Sequence, residues 1–360
     1  MSATAVQTPS RTLVSIQYLR ALAALSVALY HAFQRAWVEG MAPTELQDAA
    51  AGVDVFFVLS GFVMWASTEA SPASPLEFLR RRLVRVAPAY WIATLVAAAL
   101  VLTWPWVFQE VKLGDWRHLL LSLLFVPHAD PRGLPFPVLQ QGWTLNYEAL
   151  FYAVFALGLF LPSRLRIAWL AMSLGAVWLW GEVWPPAYTY IANPILMEFL
   201  AGVALAELWR RGRLKGRIWS WLAILYGLAM LILLQALDYR SDAWRPLLWG
   251  GPATLIVGGA VALEASGWGR PWPWLQRLGD ASYSIYLVHA FPTAVLIRTG
   301  GFTSAWLFVP AAMALVVATG VAARLLIEKP LLRLLHGKTR PRLAGDDPSL
   351  EDRTRRAARP

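Results

Sequence analysis

Two side chains that can carry a positive charge lie in residues 15–31, the first part of a long apolar run that spans residues 13–38. They are Arg20 and His31, in the stretch SIQYLRALAALSVALYH, and they are eleven positions apart. The run is long enough to cross a bilayer as a helix at about 1.5 Å per residue. Eleven residues make three turns plus roughly 20°, so both side chains face the same way, roughly 16 Å apart along the axis. A fixed cation and a titratable base on one face predict a site that holds an extended ligand.

Two carboxylates are expected near the level of His31. Asp54 lies near the start of the second apolar run, GVDVFFVLSGFVMW, and Glu148 lies in the fourth, GWTLNYEALFY. A carboxylate beside a histidine orients its ring and raises its basicity. The alternative is that each acid caps its own helix end, which suits Asp54 in particular because acidic residues stabilise helix N-termini. We expect Asp54 or Glu148 to orient His31.

A basic segment, FLRRRLVRVAPAYW, precedes the third apolar run. Arg82 and Arg85 are three residues apart and share a face if the third helix begins early. Arginine suits bidentate binding of phosphate, whereas the alternative is that these charges only orient the chain in the membrane. We predict a phosphate-binding site here, with Arg20 on the same side of the membrane.

A third polar group occurs in the ninth apolar run, GDASYSIYLVHAF. His289 is expected near the middle of the membrane, with Ser282, Tyr283 and Tyr286 below it. An intramembrane histidine indicates function by default, although it could instead hydrogen-bond a neighbouring helix. We interpret it as pocket lining. Glu198 is a further intramembrane acid to which the sequence assigns no partner.

The composition predicts the elements that must position these residues. The chain is 58% hydrophobic and 15% charged, against about 25% charged for soluble proteins, and it holds 20 tryptophans. It has no cysteine, which excludes disulfides and thiolate metal sites, and we expect no metal. The predicted fold is an all-α integral membrane bundle of about ten transmembrane helices. Their ranges are 13–38, 52–70, 86–106, 143–162, 167–185, 191–209, 218–237, 246–265, 278–299 and 304–327.

The loop charges predict the orientation of this bundle. With the N-terminus inside, arginine and lysine concentrate in the inner loops and acidic residues in the outer ones, so both termini are expected in the cytoplasm. The same asymmetry accounts for the net charge of +10 without nucleic acid. Residues 1–338 are expected to form one membrane domain and 339–360 a disordered cytoplasmic tail. The segment PHADPRGLPFP is expected to form an ordered loop over the outer face.

Taken together, these motifs resemble the bacterial acyltransferase-3 membrane family, and are most similar to its exopolysaccharide-acetylating members. The resemblance covers about residues 13–333, with the motifs in order. Arg20 and His31 match the family's arginine-to-histidine spacing, Arg82 and Arg85 its basic motif, and Trp143 and Glu148 its tryptophan-to-glutamate motif. The resemblance implies a multi-pass protein of the bacterial inner membrane. It also implies an acyl-CoA donor, with acetyl-CoA favoured, and a polysaccharide or lipid-linked oligosaccharide as the acceptor.

The resemblance also implies roles for individual residues. His31 acts as the general base with Glu148 and Asp54 as further catalytic residues, although a covalent acyl-histidine is an alternative. Arg20, Arg82 and Arg85 bind the nucleotide end of the donor. Substrate contacts are expected from Ser60, Trp143, Asn146, Tyr147, Tyr283, Tyr286 and His289.

Two other classes of function remain open at the level of sequence. Ten spans with buried charges also suit a transporter of small solutes or polysaccharide precursors, although we find no internal repeat of the kind many transporters have. A non-catalytic scaffold working with polysaccharide assembly proteins is the third possibility, but a scaffold needs no intramembrane arginine, histidine and glutamate.

Overall fold

A computed structural model describes residues 13–179, 181, 190–239, 241 and 244–335, and the part of the chain that it describes contains helices and no strands. The α-helices, numbered in chain order, are α1 Val14–Val38, α2 Gly52–Ala70, α3 Pro75–Thr103, α4 Trp116–Leu123, α5 Trp143–Gly158, α6 Ser163–Leu179, α7 Leu196–Arg210, α8 Arg217–Leu237, α9 Gly251–Ala265, α10 Pro273–Val288, α11 Ala290–Thr299, α12 Ala305–Ala323 and α13 Lys329–Leu335.

The prediction of an all-helical, multi-pass membrane protein is confirmed. Each predicted span coincides with one or two of these helices, although the end of span 167–185 lies outside the described residues. The predicted tail, 339–360, lies wholly outside them. Among the described residues, five helical stretches rather than ten are by themselves long and apolar enough to cross a membrane, namely Gln47–Ala70, Pro75–Thr103, Arg217–Leu237, Pro246–Ala265 and Ala305–Leu335.

Helix α3 begins earlier than its apolar run suggested. Its N-cap is Ser74, whose hydroxyl accepts a hydrogen bond from the backbone N–H of Glu77 at 3.2 Å, and Pro75 occupies the first turn. The helix therefore carries Arg82 and Arg85 on its own first turns, as an early start required. Counting apolar residues missed this start because the first turns are rich in arginine.

The ninth predicted span, 278–299, is two helices rather than one. Helix α10 ends at Val288 and α11 begins at Ala290, with His289 between them. Pro292 has no backbone N–H, so the carbonyl of Val288 loses its usual helical partner and the helix breaks there. The break lies at the one histidine of this segment.

Close backbone contacts hold the centre of the bundle together. Helix α1 packs against α2, α10 and α12, and α2 packs along the length of α7. At the α2–α7 crossing, a Cβ on Gly61 would collide with the carbonyl oxygen of Phe199, and one on Gly202 with that of Val58. The two helices therefore approach at backbone distance, which leaves little room for movement between them.

The ion pairs sort onto two ends of the bundle. The arginine-rich end, where α3 begins and α2 ends, holds the pairs Arg85–Glu328, Arg166–Glu69 and Arg210–Glu69. The opposite end, where α1 ends and α2 begins, holds the pairs Arg35–Glu110, Arg298–Glu39 and Arg245–Asp54. Helices α1 and α10 run in the same direction, since Gln17 contacts Gly279 and His31 contacts His289.

Candidate active site

A cavity of about 170 Å³, the central cavity, lies among α1, α2, α3, α5 and α10. It brings together side chains that the sequence analysis found in five separate segments. Its lining includes seven predicted site residues, which are Arg20, Ser60, Arg82, Arg85, Glu148, Tyr283 and Tyr286. The predicted pocket residue Ser282 lines it as well, together with apolar side chains of α2 and α3.

Arg85 is balanced by a carboxylate that sequence reasoning missed. Its Nη1 lies 2.7 Å from Oε1 of Glu328, which also pairs with Arg324 at 2.7 Å and accepts from the hydroxyl of Ser284. Glu328 is buried, with 2% of its surface exposed. A π-helical turn, Arg324–Glu328, extends α12 and carries both Arg324 and Glu328. The only sequence signal was an acid at the end of the last apolar run, before Lys329 and Pro330.

Arg82 and Arg20 form no ion pair among the described residues, although Glu148 lies near Arg82, and Glu328 and Asp280 lie near Arg20. Arg82 donates from Nη2 to the hydroxyl of Ser67 at 3.1 Å, its guanidinium lies 5.6 Å from the centre of the Phe78 ring, and its Nε is buried without a partner. Arg20 forms neither a hydrogen bond nor an ion pair within the described chain. These two cations therefore face the central cavity with their charge available to an anion.

Glu148 faces the same cavity from α5. Its Oε1 accepts hydrogen bonds from the hydroxyls of Ser60, at 3.1 Å, and Tyr152. One carboxylate thus stands opposite the two unpaired arginines, and it is held in place by hydroxyl donors rather than by a salt bridge. Such a group can accept a proton or orient a polar ligand.

Tyr286 links α10 to the start of α5 at one boundary of the cavity. Its hydroxyl lies 2.8 Å from Oγ1 of Thr144 and donates to the carbonyl of Gln141 at 3.1 Å. Tyr283, one turn earlier, donates to the carbonyl of Val86 at 2.7 Å. Both tyrosines therefore tie α10 to neighbouring segments while their rings line the cavity.

His31 has a defined hydrogen-bond environment on α1. The side-chain amide of Gln34 donates to the hydroxyl of Tyr30 at 2.9 Å, so its Oε1 is left to accept from Nδ1 of His31 at 3.3 Å. This network assigns the proton of the neutral imidazole to Nδ1 and leaves Nε2 with the basic lone pair. The ring stacks on that of His289, with 4.9 Å between centroids and 26° between planes.

His289 lies behind Tyr286 rather than in the cavity lining. Its Nδ1 lies 2.7 Å from the carbonyl of Tyr286, and because a carbonyl only accepts, Nδ1 carries the proton. Nε2 is buried without a hydrogen-bond partner. The break between α10 and α11 therefore presents a fixed imidazole to the face of His31.

The carboxylate of Asp54 is fully buried and paired elsewhere. Nε and Nη2 of Arg245 donate to its two oxygens at 3.1 and 2.8 Å, and the guanidinium lies 4.4 Å over the ring of Trp249. Neither Asp54 nor Glu148 is a hydrogen-bond partner of His31. A carboxylate was expected to orient the ring of His31. Gln34 and His289 make the contacts that hold this ring instead.

Glu198 is the intramembrane acid to which the sequence assigned no partner. It is 2% exposed, lies against Gly250 and is close to the carboxylate of Asp54. The π-helical turn Pro246–Gly250 brings Gly250 to this position. Sequence reasoning found Glu198 but missed Arg245, which lies in a connection that showed no motif.

A second cavity, of about 500 Å³, takes three of the four remaining predicted substrate residues. It is lined by Trp143, Asn146 and Tyr147 of α5, together with the segment from Tyr190 to Ile195, parts of the loop 127–136, and Arg245. The predicted substrate residues thus divide between two cavities, with His289 lining neither.

A histidine pair stands in the connection between α3 and α5, outside the helices that span the bundle. Nδ1 of His128 donates to the carbonyl of Val126 at 2.7 Å, and its Nε2 lies 2.7 Å from Nδ1 of His118, within hydrogen-bond distance. Burial, followed by the neighbouring His128, lowers the pKa of His118. His118 is therefore less readily protonated than a free imidazole, and His128 borders the second cavity.

Comparison with known proteins supplies the chemical class. The model of the acyltransferase-3 family, described as an acyltransferase domain, matches residues 13–325. The exopolysaccharide production protein ExoZ of Rhizobium meliloti (strain 1021) is 39% identical over 309 residues, which cover 82% of this chain and 93% of that protein. No solved structure matches the chain.

More distant relatives also carry transferase names. The acyltransferase MdmB of Streptomyces mycarofaciens is 27% identical over 402 residues, covering 94% of this chain and 96% of that protein. The peptidoglycan O-acetyltransferase OatA of Listeria monocytogenes is 26% identical over 318 residues, covering 76% of this chain but 48% of that protein.

Proposed function

This chain belongs to the acyltransferase-3 family, as its motifs predicted, and on that premise we propose that it is an integral-membrane O-acyltransferase. It moves an acyl group, with acetyl favoured, from cytoplasmic acyl-CoA to a hydroxyl of a cell-surface or exopolysaccharide sugar, carried on a lipid-linked precursor. The observation that supports this most directly is the central cavity, in which Arg20 and Arg82 face Glu148 without ion pairs of their own.

The proposed orientation puts the arginine-rich end in the cytoplasm of the bacterial inner membrane. All ten predicted spans cross the bilayer and both termini are cytoplasmic. Two arguments support this arrangement: the excess of arginine in the loops of that end, and the sorting of the ion pairs onto two ends. Acyl-CoA is made in the cytoplasm, so its nucleotide end meets the arginines first.

Charge holds the nucleotide end of the donor, and a narrow apolar passage holds its pantetheine arm. Arg20 and Arg82 bind phosphate groups of the donor, while the slender, mostly uncharged pantetheine arm extends between the apolar side chains of α2 and α3. The arm carries the thioester toward Tyr286, and His289, which stacks on His31, lies behind that residue. His31 lines neither cavity, so the proposed transfer requires Tyr286 to give up its hydrogen bonds to Thr144 and Gln141 and move aside.

His31 acts as the general base of the transfer. Its Nε2 takes the proton from the sugar hydroxyl as that oxygen bonds to the thioester carbonyl carbon. The carbon–sulfur bond breaks, and the leaving thiolate of CoA takes the proton from Nε2, which regenerates neutral His31. General-base assistance of this kind contributes typically about 10²–10⁴-fold to the rate. Gln34 and His289 hold the ring in place during this cycle.

The acceptor class rests on the relatives. A protein that functions in exopolysaccharide production and peptidoglycan O-acetyltransferases are similar to this chain over most of its length. Their names favour a glycan hydroxyl over a small-molecule acceptor. Membership of the acyltransferase family favours an enzyme over the transporter and the scaffold considered from the sequence.

The test is an assay of purified protein with labelled acetyl-CoA and a lipid-linked oligosaccharide. We expect His31→Ala to lower transfer at least about 100-fold, because the base is lost, while acetyl-CoA binding and the melting temperature stay near wild type. Normal transfer by this variant would remove His31 as the base. Folded wild-type protein that neither transfers the label nor releases CoA would contradict the enzyme itself.

A further inference from the structure

The first turns of α5 line two different cavities. Thr144, Leu145 and Glu148 border the central cavity, whereas Trp143, Asn146 and Tyr147 border the second one. At about 100° per residue, these two sets occupy different faces of the same helix. The body of α5 therefore separates the central cavity from the second cavity.

The lining of the second cavity has the composition of a ligand site. Its aromatic side chains are Trp143, Tyr147, Phe136 and Tyr190, and Asn146 adds an amide. Small-molecule sites typically occupy about 300–1,000 Å³ and combine apolar and aromatic walls with a few polar groups, and this cavity has about 500 Å³. The side chain of Asn146 forms no hydrogen bond with any described residue, so its donors and acceptor are available to a ligand.

Hydrogen bonds hold these walls in place. The hydroxyl of Tyr147 donates to the carbonyl of Tyr190, whose own hydroxyl donates to the carbonyl of Gly133 at 3.1 Å. The loop that contains Gly133 is fixed by Asp130, which accepts from the backbone of Arg132 and from its side chain, each at 2.8 Å. The aromatic walls are thus pre-organised, which lowers the cost of binding.

The charge of the cavity selects against an anion. Arg245 is the one arginine or lysine among the described residues that line it, and its guanidinium is committed to the carboxylate of Asp54. A paired guanidinium leaves the wall without the net positive charge that a phosphate needs. Neutral sugar rings, in contrast, present hydroxyls at their edges and C–H bonds on their faces, which suits amides and aromatic rings.

We propose that the second cavity binds a neutral pyranose unit of the acceptor glycan. The sugar stacks its C–H face on Trp143 and Tyr147 and hydrogen-bonds the amide of Asn146. This inference rests on the proposed function for the identity of the acceptor. It adds a binding site, on the far side of α5 from the donor, for the saccharide rather than for the pyrophosphate of its lipid carrier.

The test uses full-length purified protein and fluorescent oligosaccharides released by partial acid hydrolysis of the producing cell's surface polysaccharide. We expect Trp143→Ala and Asn146→Leu each to raise the dissociation constant for these oligosaccharides at least about tenfold, with acetyl-CoA affinity unchanged. Trp306→Ala is the matched control, because Trp306 is 87% exposed and lies far from α5 in sequence. A polyprenyl pyrophosphate without sugar is expected not to compete.

Three outcomes overturn the inference: unchanged oligosaccharide affinity in folded Trp143→Ala and Asn146→Leu, an equal loss in Trp306→Ala, or competition by the pyrophosphate carrier. These outcomes are separable from failure of the enzyme. Saccharide binding that is sensitive to Trp143 in a protein without transfer activity would uphold the site and reject the transferase. Wild-type transfer with unchanged saccharide affinity in both variants would do the opposite.

Discussion

Three arginines that look equivalent in the sequence have different electrostatic environments in the fold. Arg85 shares the buried carboxylate of Glu328 with Arg324, whereas Arg82 contacts the hydroxyl of Ser67 and Arg20 forms no ion pair in the described chain. A cation that is already paired gives less to a new anion than one that is not. Binding of the donor's phosphates should therefore depend on Arg20 and Arg82 more than on Arg85.

Substitutions of single arginines test this difference. We expect Arg82→Gln to weaken acetyl-CoA binding about tenfold or more, since hydrogen bonds to charged groups contribute about 1.5–3 kcal/mol. Arg85→Gln should change that affinity less and lower the melting temperature more, because it removes one of the two cations that compensate buried Glu328. Titration with acetyl-CoA and thermal unfolding measure the two effects. Equal losses of affinity in both variants would contradict the assignment.

Residue types, helical spacing and the family resemblance together predicted most of the charged and polar side chains that line the central cavity. Arg20, Arg82, Arg85, Glu148 and the two tyrosines of α10 were each identified within their own segments, and the fold brings them together. The partners of these residues were not predictable, because Glu328 is 243 positions from Arg85. Only packing decides which distant acid meets which base.

At the scale of elements, apolar runs predicted where helices lie better than how they begin, break and cross. The runs matched the described helices, but they missed the start of α3 at Pro75, the break at His289 and the two π-helical turns. Each of these features depends on local hydrogen bonding rather than on hydrophobicity. The crossing of α2 and α7 depends on Gly61 and Gly202, which lie in ordinary apolar sequence.

A single methyl group tests the importance of this crossing. We expect Gly61→Ala to destabilise the protein by roughly 1–3 kcal/mol, because the new Cβ meets the carbonyl oxygen of Phe199 and forces α2 and α7 apart. Gly175→Ala in α6 is the control, since a Cβ there meets nothing within 4 Å and alanine favours a helix. Thermal unfolding in detergent measures both. A Gly61→Ala protein that melts with the wild type would show that the crossing tolerates a wider separation.

At the scale of the whole molecule, the ion pairs and the loop charges distinguish the same two ends of the bundle. The pairs of the arginine-rich end join the end of α2 to α6 and α7, and the start of α3 to the turn after α12. The sequence predicted the sidedness of each loop from its own charges alone. The sequence could not show that the expected substrate residues divide between two cavities on either side of α5. Neighbouring positions of this one helix line different cavities.

Single introduced cysteines test the proposed orientation without background labelling, because the chain has no native cysteine. Ser71 follows α2 at the arginine-rich end, and Arg117 lies in α4 at the opposite end. A membrane-impermeant maleimide added to spheroplasts should label Arg117→Cys and should label Ser71→Cys only after the membrane is opened. The reverse pattern would invert the orientation, and labelling of both in sealed spheroplasts would show that the two ends share a side.

We propose that acyl groups pass from a donor on one side of the membrane to an acceptor on the other. The direct measurement uses proteoliposomes that contain purified protein, labelled acetyl-CoA sealed inside and the lipid-linked oligosaccharide added only outside, with His31→Ala vesicles as the control. We expect label on the external oligosaccharide in wild-type vesicles, none with His31→Ala, and CoA retained inside. Acetylation that occurs only when donor and acceptor share one compartment would contradict it.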